Sequence, residues 1–270
     1  MDTLREGKTS LLTPAPERDH TVARNERISD KAIVNDRPRP TAASPAPMLG
    51  ADAAEQFNAP LADTQIPCKP VTYAFAKRAF DLVLATTMLV ISSPIMLAAA
   101  IAVRLDSRGP IIFRQTRVGR GGRQFTCYKF RSMCADAEHK KHTLQHLNEM
   151  DGPVFKIKQD PRITTVGAFI RKYSIDELPQ LINVIRGDMS IVGPRPPVPA
   201  EVEKYGEREL GRLAVQPGLT CLWALEGRNQ LNFRRWMELD LQYIDTWSPG
   251  LDWKILLKTI PVVLMGRGAS

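Results

Sequence analysis

The sequence predicts an α+β protein: a small mixed domain of helices and short strands on a membrane anchor, with amphipathic helices at the interface. Three observations predict it. Residues 82–103 carry no charge, and at 1.5 Å per residue they make about 33 Å of helix, enough to cross a bilayer. After residue 106, short alternating strand patterns and helical patterns follow one another, separated by Gly- and Pro-containing turns. Before residue 73 the chain is rich in Pro, Ala, Asp, Arg and Thr, with few apolar residues in periodic order. Such a composition buries too little surface to fold. The division is therefore a disordered cytoplasmic tail over residues 1–72, an anchor hairpin over 73–106 and a catalytic-size domain over 107–270.

The anchor carries Ser92-Ser93-Pro94 at its middle. Proline removes a backbone donor and crowds the preceding turn, so the helix should bend there. A serine that bonds back to a freed carbonyl sharpens the bend. Lys69, Lys77 and Arg78 precede the apolar run, and Arg104, Arg108, Arg114, Arg117, Arg120 and Arg123 follow it. Basic residues beside a membrane segment favour the cytoplasmic side. A straight span puts one basic flank on the wrong face, whereas a helix–break–helix hairpin keeps both in the cytoplasm. The reading is a re-entrant anchor broken at Ser93 and Pro94. A kinked span and a buried core helix are the alternatives.

The 270 residues carry a net charge of +8, which suits anionic lipid, phosphorylated substrates or nucleic acid. No aromatic–basic repeat or helix-turn-helix signal is present, so nucleic acid is not an expected partner. The four cysteines show no CxxC or zinc spacing and read as reduced cytosolic thiols. The first ten residues are polar and contain no secretory apolar region.

Past the anchor, residues 111–113 and 125–131 read as a β-hairpin turning at Gly119–Gly122. Alternation places Lys129 and Arg131 on one face, where two cations suit a phosphate or form a solvated edge. Residues 133–150 read as an exposed polar helix. His139, His142 and His146 share its face, but no acidic or cysteine ligand recurs at matching spacing. Residues 154–159 (VFKIKQ) alternate as a strand, and 163–173 begin a short helix.

Ser174 to Leu181 (SIDELPQL) is the densest stretch. Pro179 falls third in a helix capped by Asp176, where donors are free anyway, so Asp176 is the expected N-cap. Two carboxylates on a positive helix end should have depressed pKa values. Asp176 is then a candidate nucleophile or metal ligand, or else it only caps. In Gly193-Pro194-Arg195-Pro196-Pro197 three prolines fix one arginine, either for a phosphoryl group or as a rigid solvated loop. Residues 201–213 form a charged helix, and two turn signals bracket a short apolar strand at 222–223. The last two helices cover 232–247 and 251–265. The final one sets Lys254 and Lys258 beside an apolar face, as an interfacial helix or one packed on the core.

With these residues in view, KRAFD…SSP, KFRSM, SIDELPQLINVIRGDMSIVGPRPP and PGLTCLW…GRN occur in an order that closely resembles the bacterial sugar transferases. These are the monotopic phosphoglycosyl transferases, or polyprenyl-phosphate hexose-1-phosphate transferases, of exopolysaccharide synthesis. The resemblance covers about residues 75–270. It implies an inner-membrane enzyme with its domain on the cytoplasmic face, UDP-sugar and polyprenyl (undecaprenyl) phosphate as substrates, and membrane lipid around it. Asp176 would be the nucleophile and a Mg²⁺ ligand, with Glu177 completing the catalytic dyad. Lys129, Arg131 and Arg195 would hold phosphoryl oxygens, and Arg228 with Asn229 would face the nucleotide or sugar. Gln216 stands where the family usually has a basic residue, and Glu226 falls in a segment that usually lacks an acid. A catalytically silent membrane-bound scaffold of polysaccharide assembly is the rival reading.

Overall fold

In the computed structural model, which describes residues 71–226 and 231–266, the anchor is one α-helix, α1 (Val71–Asp106). The tail, Arg228 and Asn229 lie outside the described residues. The expected break does not interrupt α1. Its hydrogen-bonded run passes through Pro94, and Ser93 Oγ donates to the Val90 carbonyl at 2.7 Å, back-bonding one turn before the proline.

The rest of the domain is built from short pieces. Strands β1 (Ile112–Val118) and β2 (Gln124–Phe130) pair antiparallel around the glycine turn, with Gln115 opposite Cys127 and Arg117 opposite Phe125. Helices α2 (Ala137–Thr143) and α3 (Thr165–Lys172) follow. A 3-10 turn (Ile175–Gln180) then leads into α4 (Leu181–Arg186). Strand β3 (Ser190–Val192) precedes the proline-rich loop, after which come the one-turn helices α5 (Pro199–Val202) and α6 (Glu207–Leu210). Strand β4 (Gly218–Thr220) pairs parallel to β3. Helices α7 (Phe233–Thr246) and α8 (Pro249–Leu264) close the chain, each capped at its N-terminus by a side chain, Asn232 and Ser248.

Several sequence expectations change. Residues 154–159 form no strand, because their backbone donors are taken locally: Lys156 N–H goes to Asn148 Oδ1 and Lys158 N–H to Glu149 Oε1. Val154 and Ile157 are nonetheless buried. Residues 201–213 break into α5, α6 and a 3-10 turn rather than one helix. Residues 222–225 are 3-10 rather than a strand. His139, His142 and His146 are all exposed, and among the described residues no group of three or more His, Cys, Asp or Glu could hold a metal.

One face of α1 is part of the domain core. Asp81, Ala85, Ala99 and Val103 are buried at helical spacing. Ala85 packs with Leu181, Val184, Ile191, Tyr243 and Ile255, while Ala99 and Val103 pack with Phe130 and Ile170. The opposite face leaves Val83, Val90, Ile91, Leu97, Ile101 and Leu105 exposed. Residues 74–106 are long and apolar enough to cross a membrane.

The basic flank preceding the apolar run is consumed by the domain. Lys77 Nζ lies 2.9 Å from Asp252 Oδ2 and 3.4 Å from Asp81 Oδ1. Asp81 Oδ1 also accepts the Ile191 N–H of β3 at 3.1 Å. Arg78 donates to the Val184 and Ile185 carbonyls at the end of α4.

Candidate active site

The site is assembled where α3 hands over to the 3-10 turn against β2. Thr164 caps α3 by accepting the Gly167 N–H. A Cβ on Gly167 would sit 2.0 Å from the Ser132 carbonyl oxygen, so only glycine allows α3 this close to the end of β2. After α3, Ser174 takes φ 55°, the one non-glycine residue with positive φ among those described. Such a conformation costs about 1–3 kcal/mol and persists where the surroundings impose it. Asp176 and Glu177 follow in the first turn.

Ser174, not Asp176, is therefore the N-cap. Proline at 179 cannot donate an α-helical bond, so the chain takes the tighter turn through Gln180 and becomes α-helical at Leu181. Asn183, fully buried, fixes this unit to the hairpin: its Nδ2 donates to the Thr126 carbonyl and its Oδ1 accepts the Tyr128 N–H.

The electrostatics of the dyad also differ from the sequence expectation. Asp176 is 8% exposed. Burial first, and the Glu177 charge second, push its pKa up to about 6, against the smaller opposing fields of Lys129 and Arg171. Desolvation outweighs the turn's N-terminal field, which the sequence alone cannot weigh. Glu177 Oε1 is held by Lys129 Nζ at 2.6 Å. The pair gives one half-solvated carboxylate braced by a cation and one buried carboxylate of raised basicity.

Arg131 does not join Lys129. Its guanidinium donates to the carbonyls of Pro110 and Ser107, each at 2.6 Å, and closes the C-terminal end of α1. Cross-strand register instead puts Lys129, Gln115 and Arg117 on one hairpin face. From the pair containing Lys129 to the pair containing Arg117 is four residues of strand, about 13 Å. At the far end lies the proline-rich loop. Arg117 Nη1 donates to the Pro196 carbonyl at 2.7 Å, and Arg212 Nη2 donates to the Arg195 carbonyl at 2.9 Å. The Arg195 guanidinium lies 5.7 Å from the Trp236 ring centre, and Trp236 stacks on Trp223.

Three cations of this region are not among the site residues read from the sequence: Arg117, placed there only in the basic flank, Lys156 and Arg171. Lys156 is half-buried, and burial and then the Arg195 charge hold its pKa below the usual lysine value. The antiparallel register of a hairpin with Lys129 on one face was the available signal for Arg117. The two residues of unusual type are also placed. Gln216 Nε2 donates to the Gly187 carbonyl at 2.7 Å, capping the end of α4 beside Arg78. Glu226 is held by Arg235 at 2.9 Å.

The site offers two carboxylates, one of them paired with lysine. That fits a divalent cation bound largely through substrate oxygens rather than in a cage of protein ligands. A buried carboxylate with raised pKa is itself short of positive charge.

The described residues thus combine an apolar helix packed into a mixed domain with a carboxylate pair and an arginine-braced loop. Residues 72–266 match the family model described as bacterial sugar transferase, and the chain belongs to that family. It is 49% identical over 200 residues to the galactosyl transferase CpsE of Streptococcus agalactiae serotype III, covering 74% of this chain and 44% of CpsE. It is 40% identical over 198 residues to the exopolysaccharide production protein ExoY of Rhizobium meliloti, covering 72% of this chain and 88% of ExoY. It is 45% identical over 203 residues to the undecaprenyl-phosphate galactose phosphotransferase of Salmonella typhimurium, covering 72% of this chain and 42% of that protein. The matched region thus spans less than half of two of these relatives and nearly nine tenths of ExoY.

Proposed function

We propose that the protein transfers a hexose 1-phosphate from a UDP-sugar to polyprenyl (undecaprenyl) phosphate, starting an exopolysaccharide repeat unit on the cytoplasmic face of the inner membrane. The observation that carries this reading is Asp176: a buried carboxylate of raised pKa beside a glutamate held by Lys129. A carboxylate with a pKa near 6 is mostly ionised at neutral pH, yet more basic and less hydrated than an ordinary aspartate. The names of the ExoY and phosphotransferase relatives support the acceptor and the product class.

In the first step an Asp176 carboxylate oxygen bonds to the β-phosphorus. The bond from that phosphorus to the oxygen bridging the two phosphates breaks, and UMP leaves with the electron pair. The phosphosugar stays on Asp176. In the second step an oxygen of polyprenyl phosphate bonds to the same phosphorus, and the Asp176 carboxylate leaves with its pair. Lys129 orients Glu177 and, with Arg195, offers positive charge to phosphoryl oxygens. The family resemblance assigns Arg228 and Asn229 to the nucleotide or sugar. Asp176 would be the protein ligand of a bound Mg²⁺, which would supply charge screening at the diphosphate.

The test is UMP release from a panel of UDP-hexoses with polyprenyl phosphate and Mg²⁺. Only ionised Asp176 can attack, so the rate should climb from pH 5 to pH 7 with a midpoint near 6. Lys129→Met removes a charge that lowers this pKa, so the midpoint should move upward. A flat profile over that range would take the nucleophile role away from Asp176.

The membrane arrangement belongs to the same proposal. Both ends of α1 dock on one domain, which supports a re-entrant or in-plane anchor over a perpendicular span. Exposed Trp253, Leu257, Ile260 and Leu264 of α8 add apolar surface for the interface. With Cys134 replaced by serine, Cys68 and a cysteine introduced at Arg108 should both be labelled from the cytoplasmic side. Labelling from opposite sides would replace this topology with a span.

A further inference from the structure

The described part of the chain buries four arginines, and three have their charge compensated. Arg162 pairs with Asp160 and Arg212 with Asp240, each at 2.6 Å. Arg131 closes the C-terminal end of α1, where carbonyl oxygens and the helix dipole supply negative charge. Arg117 has no such partner. It is 7% exposed, its Nη1 and Nη2 go to the neutral Pro196 carbonyl and Gln115 Oε1, and its buried Nε, like those of Arg131 and Arg212, has no acceptor. No carboxylate of the described residues forms an ion pair with it. Its strongest charged neighbour is another cation, Arg195. A buried ion without a counter-ion is expensive to keep, and two arginines side by side compound the cost.

Position suggests what the charge is for. Arg117 shares a hairpin face with Lys129, which holds the dyad, and grips the carbonyl next to Arg195. It therefore connects the two ends of the candidate site. We propose that the missing counter-ion is the diphosphate of a nucleoside-diphosphate donor, and that Arg117 is its positioning residue. Arg117 fixes Pro196, and so the loop carrying Arg195, while its own charge completes an anion-holding pair. The inference rests on the donor class given under Proposed function.

Binding of UDP to the full chain in detergent micelles, followed by calorimetry, tests it independently of turnover. Arg117→Gln should weaken UDP about tenfold at every pH. Arg117→Lys places an amine where burial and the Arg195 charge favour its neutral form, against weaker opposing fields from Glu201, Cys127 and Glu177. Its UDP affinity should match the wild type near pH 7.5 and fall about tenfold relative to the wild type at the same pH by pH 9.5. A role confined to packing would lower thermal stability and leave both affinities within twofold of the wild type; that result would overturn the proposal. Should the glutamine variant not fold, the pH course of the lysine variant decides alone. Wild-type UDP binding without UMP release would instead count against the transferase reading.

Discussion

Asp176→Asn is expected to cut UMP release by about a thousandfold or more, and to leave no phosphosugar on the protein after incubation with UDP-sugar alone. The size follows from the chemistry assigned to this side chain. An amide has no charge to place on phosphorus, and removing a nucleophile from a site that acts as a unit removes most of its rate enhancement. The substitution is nearly isosteric at a buried position, so the fold should survive it. Stability should even rise slightly at neutral pH. Folding raises the Asp176 pKa from the ordinary carboxylate value of 3.8 to about 6. Between those values the folded state binds more protons, so this group favours folding at low pH and costs stability as pH climbs through that window. Asparagine abolishes that cost. Mass analysis of the trapped adduct and a melting curve at pH 7 measure the two effects separately. Turnover unchanged by the substitution would end the covalent mechanism.

Lys77→Met is expected to destabilise the protein by about 3–5 kcal/mol, the size typical of leaving a buried charge without its partner. The Lys77 side chain is only 8% exposed, and it faces Asp81 and Asp252 at 1% and 3%. Methionine fills the volume of the stem and supplies no charge. Asp252 would retain the Tyr243 hydroxyl at 2.7 Å, and Asp81 the Ile191 N–H, neither of which balances a buried carboxylate. Thermal unfolding in detergent, read by tryptophan fluorescence, measures the loss. A melting point unchanged from the wild type would mean that lysine serves the membrane surface, as a reading of the flanks alone suggests.

That contrast marks what the sequence makes legible. The hairpin is legible because alternation and a glycine turn are local signals, whereas Asp176 and Glu177 stand out only through the family resemblance, since spacing alone reads them equally as a cap. The lower-order features follow from what each residue meets after folding. The direction of the Asp176 shift depends on burial by β2 and α3, which no spacing rule reports. Arg131 continues the alternation of Lys129 in sequence, but it lies past the last paired residue of β2 and turns to the end of α1. Residues 154–159 alternate as a strand does, but Asn148 and Glu149 satisfy their donors before any neighbouring strand can. Lys77 and Arg78 read as topology signals because apolar length dominates the segment. Apart from Asp81, one turn on from Lys77, their carboxylate and carbonyl partners lie more than a hundred residues away.

The Asp81–Ile191 contact has a practical consequence for transplant experiments. An apolar helix of equal length borrowed from an unrelated protein would satisfy the bilayer, but it would leave β3 without the acceptor on its open edge. Chimeras should therefore keep Lys77, Arg78, Asp81 and Ala85, together with Ala99 and Val103, as they stand in the recipient. The apolar helix and the domain beside it fold as one piece.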